Sequence, residues 1–138
     1  MHRGGGYDVS TDMLQLSRSQ LVVVCSGAKA ILNLPATLEM LESYGVPVIG
    51  YQTDDFPAFY SRESGLKTPL RAETPQEVAN IANAHWKLGF RTSVLVVVPP
   101  PAESALPREQ IEAVIAEALL QAEAEGVRGS AVTPYLLT

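Results

Sequence analysis

Short runs of apolar, largely β-branched residues alternate along this chain with longer segments whose apolar residues recur at helical spacing. Leu21 to Val24, Val46 to Tyr51 and Val94 to Val98 are the short runs, and their continuous rather than alternating apolar character predicts strands buried on both faces of a parallel or mixed sheet. The first run is too apolar for a half-exposed edge strand. Between the first two, Thr37 to Tyr44 sets Leu38, Met40 and Leu41 on one side, and Gly45 supplies a C-terminal stop. Thr74-Pro75-Gln76-Glu77 opens the next helix, with threonine as N-cap, proline at the first helical position and glutamate placed to close a capping box. Val78, Ile81, Ala82 and Trp86 face inward along it, and Gly89 ends it. A last helix, Pro107 to Glu125, carries Ile111, Val114, Ile115, Ala118 and Leu119 on one stripe, which predicts that it covers a sheet.

Strand, helix, strand in this order predicts the α/β class, layered α/β/α around a parallel or mixed sheet. The chain of 138 residues reads as one domain. Only three strands are evident, the chain begins in a glycine-rich stretch and it stops just after Thr133-Pro134-Tyr135-Leu136-Leu137, so the domain reads as incomplete and cut at both ends. The segment from Gln52 to Glu73 fits neither period. It holds Asp54, Asp55, Phe56, Phe59, Tyr60, Arg62 and Arg71, and a loop of that length in a compact domain is commonly functional. Its aromatics suggest that it packs over something.

Composition narrows the function classes. Ten lysines and arginines against fifteen acids give a net charge of −5 with no basic run, which argues against a nucleic-acid polymer as partner. The single cysteine, Cys25, can form no internal disulfide, and with His2 and His85 far apart in sequence there is no zinc-site spacing. The longest apolar stretch, from Ser93 to Pro101, is about half the ~20 residues that span a bilayer. The first residues lack the apolar core of a secretory signal. A reducing, cytoplasmic setting is the expectation.

Candidate chemistry centres on "VVVCSGAKAIL", residues 22–32, where Lys29 stands alone among small and apolar residues at the end of a strand. A lysine desolvated there would have its ammonium pKa lowered from about 10.4, which a nucleophilic amine requires. Its small neighbours would let a substrate approach. The alternative is a lysine that snorkels from the strand end to water. In "YDVSTDML", Asp8, Ser10, Thr11 and Asp12 can serve a helix start as cap and dipole partner. The same oxygens could instead hold a hydrated divalent cation and a sugar phosphate. Cys25 reads as a small buried residue and His85, beside Trp86, as structural. Asp54 and Asp55 could form a carboxylate pair, although adjacent loop acids are usually solvated, and Glu112, Glu117, Glu123 and Glu125 form a wet helix face.

Three stretches, "HRGGGYDVSTDML", "VVVCSGAKAILNLPATLEMLESYGVPVIGYQTDDFPAFYSRESGL" and "LPREQIEAVIAEALLQAEAEGVRGSAVTPYLL", together resemble pseudouridine-5'-phosphate glycosidase, also called pseudouridylate synthase and related to the indigoidine-synthase A proteins. The resemblance runs over essentially the whole chain. It implies reversible cleavage of the C–C glycosidic bond of pseudouridine 5'-phosphate to ribose 5-phosphate and uracil, in a cytoplasmic, manganese-dependent homotrimer. It assigns Lys29 as the nucleophile that bonds to the ribose C1, Asp8 as the Mn²⁺ ligand, and Ser10, Thr11 and Asp12 as substrate contacts.

Relative to that family the chain is truncated at both ends, and the family's upstream glutamate proton donor and substrate-binding lysine have no counterpart here. Asn33 stands where the pattern has aspartate, and Val98 where it has asparagine. Two other readings stay open: a non-catalytic phosphosugar-binding or assembly remnant, and a different lysine-imine lyase acting on a phosphosugar.

Overall fold

The computed structural model describes residues 12–128 and 131–136. Strands β1 (Val22–Cys25), β2 (Val48–Tyr51), β3 (Leu70–Ala72) and β4 (Val94–Val97) form an all-parallel sheet in the order β1-β4-β2-β3. The helices are α1 (Asp12–Leu16), α2 (Leu34–Ser43), α3 (Pro75–Lys87), α4 (Arg108–Ala124) and α5 (Val132–Leu136). The α/β class expected from the alternating pattern is the one found.

Successive strand residues point to opposite faces, and the two faces have different covers. Val23, Cys25, Val48, Leu95 and Val97 meet Met13 and Leu16 of α1, Leu38 and Leu41 of α2, and Phe56. Ile49, Ala72, Val94 and Val96 meet Val78, Ile81, Ala82 and Trp86 of α3. This is the layered α/β/α arrangement. Ser93, fully buried at the start of β4, fixes α1 against it: its N–H donates to the Leu16 carbonyl (2.8 Å) and its hydroxyl to the Ser19 carbonyl (2.6 Å).

Four expectations change. The first run is an edge strand after all: β1 pairs only with β4 among the described strands, and Val22 and Val24 are 42% and 64% exposed. The cover of that face, α3, is centred on the other three strands. A fourth strand, β3, lies at the end of the long loop, where Arg71 and exposed Leu70 hide the apolar pattern. The last helix does not cover the sheet. Among the described elements α4 packs chiefly against α5, and Ala122 is its buried residue while Val114 and Leu120 are exposed. The central strands already have α1 and α2 on one face and α3 on the other.

The fourth change is local. Thr74 caps α3 as expected, its hydroxyl accepting from the Glu77 N–H at 3.2 Å, but the Glu77 carboxylate accepts from the N–H of Glu73 rather than of Thr74. The box therefore closes one residue upstream, satisfying a backbone donor that precedes the cap.

Candidate active site at the carboxyl ends of the strands

Because the strands are parallel, the segments leaving β1, β2 and β4 emerge at one edge of the sheet, where ligands of open α/β sheets bind. Backbone hydrogen bonds join them there. The Val98 N–H donates to the Cys25 carbonyl (2.8 Å), the Phe59 N–H to the Ser26 carbonyl (3.1 Å), and the Leu106 N–H to the Tyr60 carbonyl (2.8 Å). Arg62 adds a side-chain bond to the Pro100 carbonyl at 2.6 Å. The long loop is anchored separately. Phe56 is buried in the core, its N–H donates to the Leu66 carbonyl (2.8 Å), and the Asp55 carboxylate pairs with Lys67 at 3.0 Å.

Gly27 is where the loop meets the β1 exit. It has φ 80° and forms an antiparallel bridge with Ala58. A Cβ there would lie 1.8 Å from the Pro57 carbonyl oxygen. The space left by its missing side chain is thus filled by the loop rather than kept for a substrate, which corrects one part of the sequence expectation.

Lys29 follows two residues later, its carbonyl accepting from the Leu32 N–H at 2.9 Å in a turn that leads into α2. Its side chain is exposed, so the desolvation expected of it is not found in this chain. Lys29 lines a cleft of about 1080 Å³ together with Asp12, Cys25, Ala28, Asn33 and Phe59. Of the predicted site residues, the structure therefore brings Lys29 and Asp12 to one cleft. Asp8, Ser10 and Thr11 lie outside the described residues.

Asn33 ends the Lys29 turn and starts α2. Its side-chain oxygen accepts from the Ala36 N–H at 3.1 Å, and Pro35 occupies the first turn. The helix consequently begins earlier than the apolar spacing alone suggests, although Asn-x-Pro is itself a start signal. Asparagine and aspartate are comparable caps, so either residue would serve this function. Asn33→Asp is expected to leave stability unchanged and Asn33→Ala to lower it by about 1 kcal/mol, measured by urea denaturation.

The remaining candidates do other things. Burial pushes the Cys25 thiol up, against a smaller opposing effect of the Gly27 backbone, so the sulfur facing the cleft stays protonated and is a poor nucleophile. His85 is structural: its ring stacks on Phe90 with centroids 4.7 Å apart, Nε2 lies 2.8 Å from the Thr92 hydroxyl, and burial lowers its pKa. Asp54 and Asp55 do not act as a pair, since Asp54 meets Arg71 at 2.8 Å while Asp55 holds Lys67. No group of three or more metal-binding side chains occurs among the described residues, and no described helix is long and apolar enough to cross a membrane.

A lysine and carboxylates lining one cleft at the strand ends suit carbonyl or phosphosugar chemistry of several kinds, and comparison with known proteins narrows them. The profile of the indigoidine synthase A-like proteins matches residues 1–138. The chain belongs to that family. Two curated members of similar sequence are the pseudouridine-5'-phosphate glycosidases of Caldanaerobacter subterraneus subsp. tengcongensis and Herpetosiphon aurantiacus. The first is 50% identical over 99% of this chain and 45% of the relative. The second is 51% identical over 100% of this chain and 46% of the relative. The chain thus spans less than half the length of these members of the indigoidine synthase A-like family.

Solved structures agree. The prealnumycin C-glycosynthase AlnA in complex with ribulose 5-phosphate superimposes with a TM-score of 0.89 at 42% identity, over 94% of this chain and 43% of that one. An indigoidine synthase A-like protein from Thermotoga maritima gives 0.81 at 37% identity, over 95% and 43%. Both similarities cover nearly the whole of this chain.

Proposed function

We propose that this chain carries the nucleophile-bearing part of a C-glycosidic phosphosugar enzyme, acting on pseudouridine 5'-phosphate to give ribose 5-phosphate and uracil. The observation that supports it is that Lys29 lines the same cleft as Asp12, within a family whose similar members are named for that substrate.

In this reading the free amine of Lys29 adds to the ribose C1, the bond from C1 to the ring oxygen breaks, and that oxygen takes a proton. The nitrogen lone pair then forms a C=N bond as the C–C bond to the base breaks, and the base carbon takes a proton to leave as uracil. Water hydrolyses the imine to ribose 5-phosphate and returns the amine. An ordinary glycosidase protonates a heteroatom leaving group, which a C-glycoside lacks; here the nitrogen lone pair drives the cleavage, and the base carbon accepts the bonding electrons together with a proton.

Among the described cleft residues the Asp12 carboxylate is a hard oxygen donor of the kind that suits Mn²⁺, while no described group of three metal-binding side chains is assembled. Asp8 would hold the ion, with Ser10, Thr11 and Asp12 contacting the substrate. When bound, Mn²⁺ would supply positive charge opposite the sugar phosphate. A cytoplasmic homotrimer belongs to the same proposal.

The test is intact-protein mass spectrometry after incubation with ribose 5-phosphate, Mn²⁺ and borohydride. A reduced ribose phosphate adduct is expected in the wild type and absent in Lys29→Ala, whose exposed site makes a folding defect of more than about 0.5 kcal/mol unexpected. A folded wild type without adduct would reject the lysine mechanism and favour a binding-only protein. That second reading draws on the absence of desolvation at the exposed Lys29 and on the partial span of the relatives.

A further inference from the structure

Phe59 has φ 66°, in the left-handed region that bulky side chains rarely occupy. Its backbone is held there by the hydrogen bond to Ser26 and by the adjoining Gly27–Ala58 bridge. Glycine would meet that geometry without strain, so the backbone gives no reason for an aromatic residue. Nor does the core. Phe56, three residues earlier, is buried, whereas Phe59 is 41% exposed and lines the cleft with Lys29. Its ring meets Tyr60 edge-on, with centroids 4.9 Å apart and planes at 83°. That contact fixes the ring through its edge or face on one side.

We propose that Phe59 binds the planar base of the substrate, its ring serving as a stacking platform while Lys29 meets the sugar C1. The inference rests on the function proposed above and deepens it by assigning recognition of the aglycone to the loop after β2. Stacking suits a base that must leave once the C–C bond is broken, because it adds affinity without a fixed pattern of hydrogen bonds. It also predicts a division of labour. A sugar phosphate that lacks a base gains nothing from Phe59.

The test compares two ligands by calorimetry in a Lys29→Ala background, which blocks covalent chemistry, and repeats borohydride trapping with ribose 5-phosphate in the wild-type background. Phe59→Leu is expected to weaken pseudouridine 5'-phosphate binding by about 5- to 100-fold and to leave ribose 5-phosphate binding and trapping within about twofold. Phe59→Tyr should restore the preference for the base-bearing ligand. Equal weakening of both ligands would overturn the platform in favour of a structural role. Unchanged affinity for pseudouridine 5'-phosphate, in a protein whose wild type traps ribose 5-phosphate, would overturn it while leaving the proposed function intact. Failure of the parent protein to bind either ligand or to trap the sugar would overturn both.

Discussion

Gly27→Ala is expected to lower stability by about 2–5 kcal/mol and the yield of the lysine adduct by about 100-fold or more. Two effects combine. A side chain in the left-handed region costs about 1–2 kcal/mol, and here the added Cβ would sit 1.8 Å from the Pro57 carbonyl oxygen and 2.7 Å from its carbon, backbone atoms that no rotamer change can move. Overpacking of this sort costs about 1–3 kcal/mol more. The strain can be relieved only by separating the 56–60 loop from the β1 exit, which displaces Lys29, and a shift of about 1 Å at a reacting group can lower a rate about 100-fold. Gly45→Ala is the control, because its φ is 67° but its Cβ would meet nothing. Urea denaturation of both variants isolates the contact. A Gly27→Ala protein no less stable than Gly45→Ala would show that the loop is not clamped there.

Phe56→Ala is expected to remove about 3–5 kcal/mol, a large share of the 5–15 kcal/mol typical of a domain. Phe56 is 1% exposed and packs with Met13, Leu41, Val48, Leu95 and Val97, so truncation opens a cavity where the long loop enters the core. Phe59→Ala, in the same loop, should change stability much less because its ring is partly solvated. Denaturation midpoints of the two variants check this directly. Similar losses for both would mean that the two aromatics share one structural task, against the distinction between core anchor and cleft surface drawn above.

The strands β1, β2 and β4 were legible because apolar β-branched runs survive burial on both faces, and α3 was legible because its cap and stop are written locally at Thr74 and Gly89. Lys29 stood out because a cation among small residues is unusual at a strand exit. What the sequence could not express is position relative to other elements. Leu21 to Val24 reads as interior, yet it lies at an edge; the stripe of α4 reads as sheet-facing, yet it meets α5. β3 is short and carries Arg71, paired with Asp54 and Glu73, so polar contacts mask it. Phe59 carries no mark of its left-handed backbone, which arises only when the Ser26 carbonyl and Gly27 come within reach across the sheet edge. The part of the proposed site at Asp8, Ser10 and Thr11 rests on sequence resemblance.

The exposed side of β1 also has a consequence for handling the protein. Strand edges with apolar side chains are templates for edge-to-edge stacking, and β1, which pairs with β4 alone among the described strands, exposes Val22 and Val24. The net charge of −5 opposes the approach of two molecules in dilute buffer. At 0.1 M salt that repulsion reaches only about 10 Å. Clouding of concentrated solutions should therefore begin at lower protein concentration as salt is added, and purification at low ionic strength keeps the valine edge from becoming a seed.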